Sequence, residues 1–327
     1  SNRVPGSTPY YGANGIQGYI DGYTHDGEFI LLAEDGANDL KNYPVIHVNG
    51  KVWVNNHAHV LQGIEGKLNN LFLKSTFSKV NFGPFLVGGG RAKLNAEVMM
   101  GINLNIPQST AEQTQIGTFF KNLDNQITLK QRKLDKLVTL KKAMLEKMFP
   151  KEGADEPEIR FKGFTGAWLD KSFGQMATFF NGRAYKQEEL LSTGKYRVLR
   201  VGNFFSNNQW YFSDLELESN KYCDNGDLLY AWSASFGPRI WHGEKVIYHY
   251  HIWKVVENDG IDRQFLHLLL DFETENMKSN SANGMGLLHI TKGTIEGWEC
   301  SYPENIGEQK AIGFYFKKLD DLISLQK

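Results

Sequence analysis

Residue types capable of chemistry are plentiful in this chain, but their spacing assembles little of it. Two His-x-His pairs, His57/His59 and His249/His251, would put two imidazoles on one face of a strand and offer half a metal site. Such a pair alone is weak, and packed or surface histidines are the simpler reading. Glu308-Gln309-Lys310 has the E-x-K spacing that a metal-dependent nuclease uses within a larger carboxylate cluster. Its sister, Glu112-Gln113-Thr114, loses the lysine, which argues for a structural motif rather than a catalytic one. No Pro-Pro dipeptide occurs, so the Asn/Asp/Ser-Pro-Pro-aromatic motif that grips a flipped base for amino methylation is absent. Gly88-Gly89-Gly90 lacks a following Lys-Ser/Thr and is no Walker-type phosphate loop. Cys223 and Cys300 lack zinc-site spacing and cannot make a disulfide framework, a usage that suits a reducing cytosol. The expectation is a chain with no catalytic residues, no metal and no cofactor of its own.

The elements that position these residues are organised by a repeat. Pro107 to Phe149 reads PQSTAEQTQIGTFFKNLDNQITLKQRKLDKLVTLKKAMLEKMF, and Pro303 to Lys327 reads PENIGEQKAIGFYFKKLDDLISLQK. Laid over each other at one constant shift, Glu112-Gln113 meets Glu308-Gln309, Ile116-Gly117 meets Ile312-Gly313, and Leu123-Asp124 meets Leu319-Asp320. Roughly half of the overlapped positions agree without a gap, and self-similarity at a long fixed period is strong evidence of architecture. Apolar residues at Ile116, Phe120, Leu123 and Ile127 step by four, three and four, one face of a helix, and the seam runs on through Leu134, Leu137, Met144 and Met148. Ile312, Phe316, Leu319 and Ile323 repeat it. With no proline between Gln108 and Phe149, the first helix should run about 35–40 residues, roughly 55 Å. A rod of that length needs a partner for its apolar stripe, and the closing helix offers one.

The chain thus reads as domain, helix, domain, helix: residues 1–106, a central helix at 107–150, a charged linker at 151–160, a second domain at 161–302 and a shorter closing helix at 303–327. Its 327 residues suffice for two domains of ordinary size, and the 13% aromatic content with 33 glycines suits strands and turns. In the first domain Glu28–Ala33 reads as a buried strand, Lys51–Leu61 as further strand, Leu68–Thr76 as a short helix and Gly88–Asn95 as a basic loop. The two domains echo each other: Asp227–Ala231 matches Glu28–Ala33 in character, and His249–Ile252 matches His57–Val60. A net charge of −1 argues against a generic polyanion binder, although nine Lys/Arg face three Asp/Glu between Lys121 and Lys151. No apolar run approaches the roughly 20 residues of a membrane span, and the opening residues do not read as a signal peptide, so the expected location is cytoplasmic.

The repeated P-x4-E-Q-x2-I-G-x2-F-x2-L-D-x2-I helix start, the phrase Ile159-Arg160-Phe161-Lys162-Gly163-Phe164-Thr165-Gly166-Ala167-Trp168 and the pair of weakly matching domains resemble the specificity subunit of a Type I restriction–modification enzyme, over essentially the whole chain. The resemblance implies an α+β fold: two similar mixed α/β target-recognition domains separated by two long antiparallel helices in a coiled coil, with an approximate internal two-fold. It implies a non-catalytic DNA-binding subunit that reads a bipartite double-stranded target. It also implies two methyltransferase subunits that bring S-adenosylmethionine, and a restriction/translocase subunit as a further partner.

Base reading needs Arg, Asn, Gln and aromatic side chains on loops, with Lys and Ser on phosphates. Candidates in the first domain are Tyr10, Tyr11, Asn14, Gln17, Arg91, Lys93 and Asn95. In the second they are Arg183, Tyr185, Lys186, Arg197, Arg200, Asn203, Trp232, Ser235, Arg239, Asn283, His289 and Lys292. Two departures stand out. The first domain shows no counterpart of the Ile159–Trp168 phrase, and the closing helix is about half as long as its sister, so the apolar seam of the first helix is expected to be partly exposed. The competing class is a tandem aromatic-rich binder of carbohydrate or peptide, which explains the tyrosines and tryptophans but not the rod.

Overall fold

The computed structural model describes residues 3–88, 92–151, 153–204, 207–233, 236–280 and 289–327. The chain forms two compact units, residues 1–131 and 132–327, and the boundary falls inside the central helix. Among the described residues no helix is long and apolar enough to cross a membrane.

Unit 1 holds β1 (Pro5–Gly12), β2 (Gly15–Ile20), β3 (His25–Ala33), β4 (Val45–Val54), β5 (Ala58–Leu61), α1 (Asn70–Phe77), α2 (Ala96–Met100) and the first part of α3 (Thr110–Met148). Its sheet runs β2-β1-β4-β3-β5. The apolar run in β3 lies between β4 and β5, and its Ile30, Leu31, Leu32 and Ala33 are covered on both faces, each at 1% exposure or less. The stretch expected as one strand over Lys51–Leu61 is instead the end of β4, a turn and β5, because Asn55 and Asn56 break the pattern. Asn69 caps α1 by accepting from Phe72 N at 3.0 Å.

Unit 2 holds the rest of α3, then β6 (Leu169–Ser172), α4 (Phe173–Met176), β7 (Ala177–Asn181), β8 (Tyr196–Leu199), β9 (Tyr211–Ser213), β10 (Tyr222–Cys223), β11 (Leu228–Ala231), β12 (Gly237–Ile240), β13 (Val246–Tyr248), β14 (Ile252–Glu257), α5 (Arg263–Asn280), α6 (Lys292–Glu296), β15 (Glu299–Tyr302) and α7 (Ile306–Ser324). Its strands form sheets β10-β13-β8-β9 and β12-β11-β14-β7, with β15 and β6 as a separate pair. The end of α3 runs antiparallel to α7: Lys141 Nζ meets Asp320 Oδ1 at 2.6 Å, while further along α3 the ring beyond its end, Phe149, faces Phe316, earlier on α7. Met148, Phe149, Ile312, Phe316 and Leu319 enter one core with α5, and Leu137 and Met144 pack against it.

The repeat is built as a local clamp, and the same clamp occurs twice. Gln113 Oε1 accepts from Asn69 N at 2.9 Å, while its Nε2 donates to Lys67 O at 3.0 Å and Pro107 O at 2.8 Å. Gln309 Oε1 accepts from Asp262 N at 2.8 Å, and its Nε2 donates to Gly260 O at 3.0 Å and Pro303 O at 2.9 Å. Each glutamine is fully buried and ties the long helix to the capping residue of the helix it crosses. One turn on, a glycine allows the close crossing. A Cβ on Gly117 would stand 2.5 Å from Phe72 N, and one on Gly313 would stand 2.8 Å from Phe265 N.

The equivalence extends upstream, where the sequence barely shows it. At the same shift α2 falls on α6. The buried Leu94 donates its amide to Glu34 O as the buried Ile290 donates to Trp232 O. This corrects the histidine match. Glu34 N bonds His57 O, and Trp232 N bonds His251 O, so His57 corresponds to His251 and the sequence echo was two residues out of register.

The seam needs a second correction. Leu134 and Leu137 are half-buried in unit 2, but Leu123 is 37% and Ile127 66% exposed. Every residue from Lys121 to Lys130 is exposed, so among the described residues no helix covers this part of the stripe.

Candidate nucleic-acid interface

In unit 2 the segment His249-Tyr250-His251 gathers basic and aromatic side chains predicted from different parts of the sequence. Arg183 bridges in parallel to His249, and Tyr185 lies over the His249 ring at 6.4 Å between centroids. Tyr250 and Trp232 rings are 6.0 Å apart, and Trp232 Nε1 donates to Tyr250 O at 2.7 Å. The Arg200 guanidinium sits 4.5 Å over the Tyr211 ring, close enough to His249 to act on its charge. Burial first, then His251 and Arg200, push the His249 pKa down to about 4; burial also lowers His251. At neutral pH both imidazoles are therefore uncharged, leaving Arg183 and Arg200 as the cations of the cluster. Cations held against ring faces keep a fixed direction while still offering N–H groups to a base edge or phosphate.

Several of these groups are restrained. Arg183 Nη2 pairs with Glu189 at 2.7 Å, and its Nη1 is buried with no partner among the described residues. The Tyr185 hydroxyl is likewise buried with no partner among the described residues, and burial raises its pKa. Arg197 lies over Trp210 and pairs with Glu244 at 3.0 Å. Asn203 holds its own loop, donating to Asn207 O and Gln209 O. Lys186 is exposed, and Lys292 pairs with Glu296 at 3.4 Å on α6. Arg239 borders a separate cavity of about 730 Å³ with Lys141, His267, Asp271 and Asp320. His289 is exposed and bridges to Ser233. Ser235, Asn283 and, in unit 1, Arg91 lie outside the described residues.

In unit 1 Tyr10 is a correction: it is 3% exposed under the Arg3 guanidinium, so its ring supports the sheet and cannot present itself to a groove. Tyr11 is half-buried, its pKa raised by burial and then by Tyr19. Asn14 spans the turn, donating to Gly36 O at 2.8 Å and accepting from Asn38 N at 2.9 Å. Gln17 lies exposed over Gly12, Lys93 pairs with Glu34 at 2.8 Å, and Asn95 precedes α2 as an exposed cap.

Sequence reading missed Tyr19, 56% exposed, and Tyr23, 50% exposed under Lys51. In unit 2 it missed Lys195 against Tyr196, Trp210, Tyr211 and Lys245 over Tyr222. The available signal was a basic residue beside an aromatic, as in Lys195-Tyr196; pairs such as Arg200 with Tyr211 need the fold.

The candidate catalytic and metal groups are engaged elsewhere. His57 Nδ1 meets Asp35 at 2.7 Å, and His59 Nε2 meets Leu94 O at 2.8 Å. Both cysteines are buried, and burial pushes their thiols well above the usual range. Glu308 of the E-x-K triplet is 1% exposed and gripped by Arg160, through Nε at 2.7 Å and Nη2 at 2.8 Å. It is a structural carboxylate.

Two units built on one repeated frame, with basic and aromatic side chains collected in the second, mark a tandem-repeat protein. The model of the Type I restriction modification DNA specificity domain matches residues 1–139 and 166–327, and the chain belongs to that family of non-catalytic specificity subunits. Over 116 residues it is 52% identical to a putative type I restriction enzyme specificity subunit, S.HindORF215P, of Haemophilus influenzae. That match takes in 36% of this chain and 30% of the relative, under a third of the relative's length. The Type I restriction–modification S subunit from M. genitalium shares the fold, with a TM-score of 0.66 at 13% identity over 99% of this chain and 85% of its own. The HsdS subunit from Thermoanaerobacter tengcongensis has a TM-score of 0.50 at 15% identity over 93% and 76%.

Proposed function

We propose that the chain reads a bipartite double-stranded DNA target, one half with each unit, and docks two methyltransferase subunits and a restriction/translocase subunit in the cytoplasm. The observation that carries this reading is the duplicated clamp. Gln113/Gly117 and Gln309/Gly313 hold the same frame, while the strands built on it differ between a five-stranded sheet and two four-stranded ones. A constant frame with differing faces suits a protein that presents two unlike reading surfaces in one manner. The 39 residues of α3 give a rod of about 58 Å, longer than one helical turn of duplex at about 34–36 Å. The Arg183–Arg200–Trp232 cluster is the proposed reading surface of unit 2, and Asn14, Gln17 and Tyr19 of the β1–β2 hairpin that of unit 1. S-adenosylmethionine belongs, in this reading, to the methyltransferase partners.

The test is methylome sequencing of cells carrying the chain with its methyltransferase. A bipartite methylated motif is expected, and Arg200→Ala should relax or abolish one half only. A purified complex should bind duplex with an affinity that falls steeply with salt. A single continuous motif, or sugar binding indifferent to salt, would overturn the proposal.

A further inference from the structure

Just past the end of α3, within unit 2, the chain is tied back on itself. Ala154 N donates to Lys151 O at 2.9 Å, and Trp168 N donates to Asp155 O at 2.7 Å. A cavity of about 960 Å³ is lined by residues of this linker, of α5 and of the β6–β15 pair. Much of its wall is aromatic. Phe149 and Phe272 stack at 4.8 Å between centroids, Trp168 stands edge-on to Phe149 at 5.6 Å, and Trp298 completes the set.

The same lining is acidic. Glu273 Oε2 accepts from Trp298 Nε1 and from Asn276 Nδ2, each at 3.1 Å, and the carboxyl meets no cation among the described residues. Burial pushes its pKa above the usual carboxylate range, as it does for an anion without a countercharge. Asp155 and Asp170 add two exposed carboxylates to the lining, while Lys151, its one basic residue, pairs with Glu158 at 3.3 Å. Among the described residues no three His, Cys, Asp or Glu side chains converge as a metal site. Acids spread around aromatic walls suit a flat organic cation instead. Trp168 adds an independent requirement. It is 5% exposed, and its Nε1 is buried with no acceptor among the described residues. Buried donors are rarely left unmet, and a carbonyl oxygen would satisfy this one.

We propose that this cavity binds an arginine residue presented by a partner polypeptide. The guanidinium packs against the Phe272 and Trp298 rings and reaches the Glu273 carboxylate, and the backbone carbonyl of the same residue accepts from Trp168 Nε1. Arginine suits the site better than lysine, because a planar cation both stacks on rings and meets a carboxylate through two N–H groups. A polypeptide suits it better than a free cation, because the unmet indole donor calls for an oxygen acceptor. The choice of occupant thus rests on charge complementarity and on that donor. This inference is independent of what the units read.

The test titrates N-acetylargininamide, which carries the guanidinium and flanking carbonyls, into the isotope-labelled full chain. The seven tryptophans give seven indole N–H resonances, and Trp168→Phe identifies the one that matters. That resonance should move saturably. N-acetylcitrullinamide, neutral but otherwise alike, should bind about 10-fold more weakly or less, and so should the arginine compound to Glu273→Gln. The glutamine keeps an oxygen for Trp298 and Asn276, circular dichroism checks its fold, and the citrulline comparison needs no variant at all. Methylguanidinium, a cation with no carbonyl, should leave the Trp168 resonance in place. No saturable shift with N-acetylargininamide would overturn the proposal. So would equal binding of the citrulline compound to the native chain, or of the arginine compound to folded Glu273→Gln. An equal shift with methylguanidinium would make a free cation the occupant and overturn it as well.

Discussion

At the scale of single residues, the best-defined interaction is Arg160 with Glu308. The carboxylate is 1% exposed and the guanidinium 16%, so the pair is shielded from solvent. Arg160→Ala would leave a buried charge alone, and such losses cost about 3–5 kcal/mol. Denaturant unfolding should show a shift of that size, with α7 losing amide protection first. His249 is the second site with a sharp expectation. Its folded pKa is near 4 against an ordinary 6.5, so between those values the unfolded chain binds more protons. Its contribution to stability is therefore full above pH 6.5 and is lost as pH falls toward 4. A histidine resonance titrating near 4, and a flatter pH–stability profile in His249→Phe, would check this. Residue types alone were enough to nominate Arg183, Tyr185, Arg200 and Trp232, since these are groups that read bases. Tyr10 was misjudged on the same grounds, because nothing in its type says that Arg3 and the sheet bury it.

At the scale of elements, the glutamine–glycine clamp explains the repeated motif. The glutamine joins three backbone groups, and the glycine admits a neighbouring helix at backbone distance. Gly313→Ala should destabilise unit 2 by about 1–3 kcal/mol, because the added carbon meets the first turn of α5 rather than a flexible side chain. Gly293→Ala, in α6 with nothing within reach of its Cβ, should be neutral or raise stability by about 0.4–1 kcal/mol. Thermal melts of both variants make the comparison. The length of α3 was legible because an unbroken helical period needs no tertiary information. Whether its stripe would be covered was not: Leu137 and Ile127 look alike in the sequence, yet one packs on the unit 2 core and the other is exposed.

At the scale of the whole molecule, the two units share a frame and differ in their sheets, and the proposed bipartite reading predicts modularity. Exchanging residues 161–302 for the matching span of another family member should alter one half of the methylated sequence and leave the other, as read by methylome sequencing. The frame residues Gln309 and Gly313 lie outside that span and would stay in place. An exchange that abolished both halves would count against independent readers.

The sequence by itself determined the repeat, the long helix and the family. These rest on local periodicity and on residue types that recur because the same backbone contact must be made twice. Only the tertiary structure decided that α2 matches α6, that His57 corresponds to His251, and that Glu112 stands bare where Glu308 is gripped. Those facts depend on pairing between residues far apart in the chain. Strand register and burial are set by which partner arrives, and a residue's own neighbours along the chain carry no record of it.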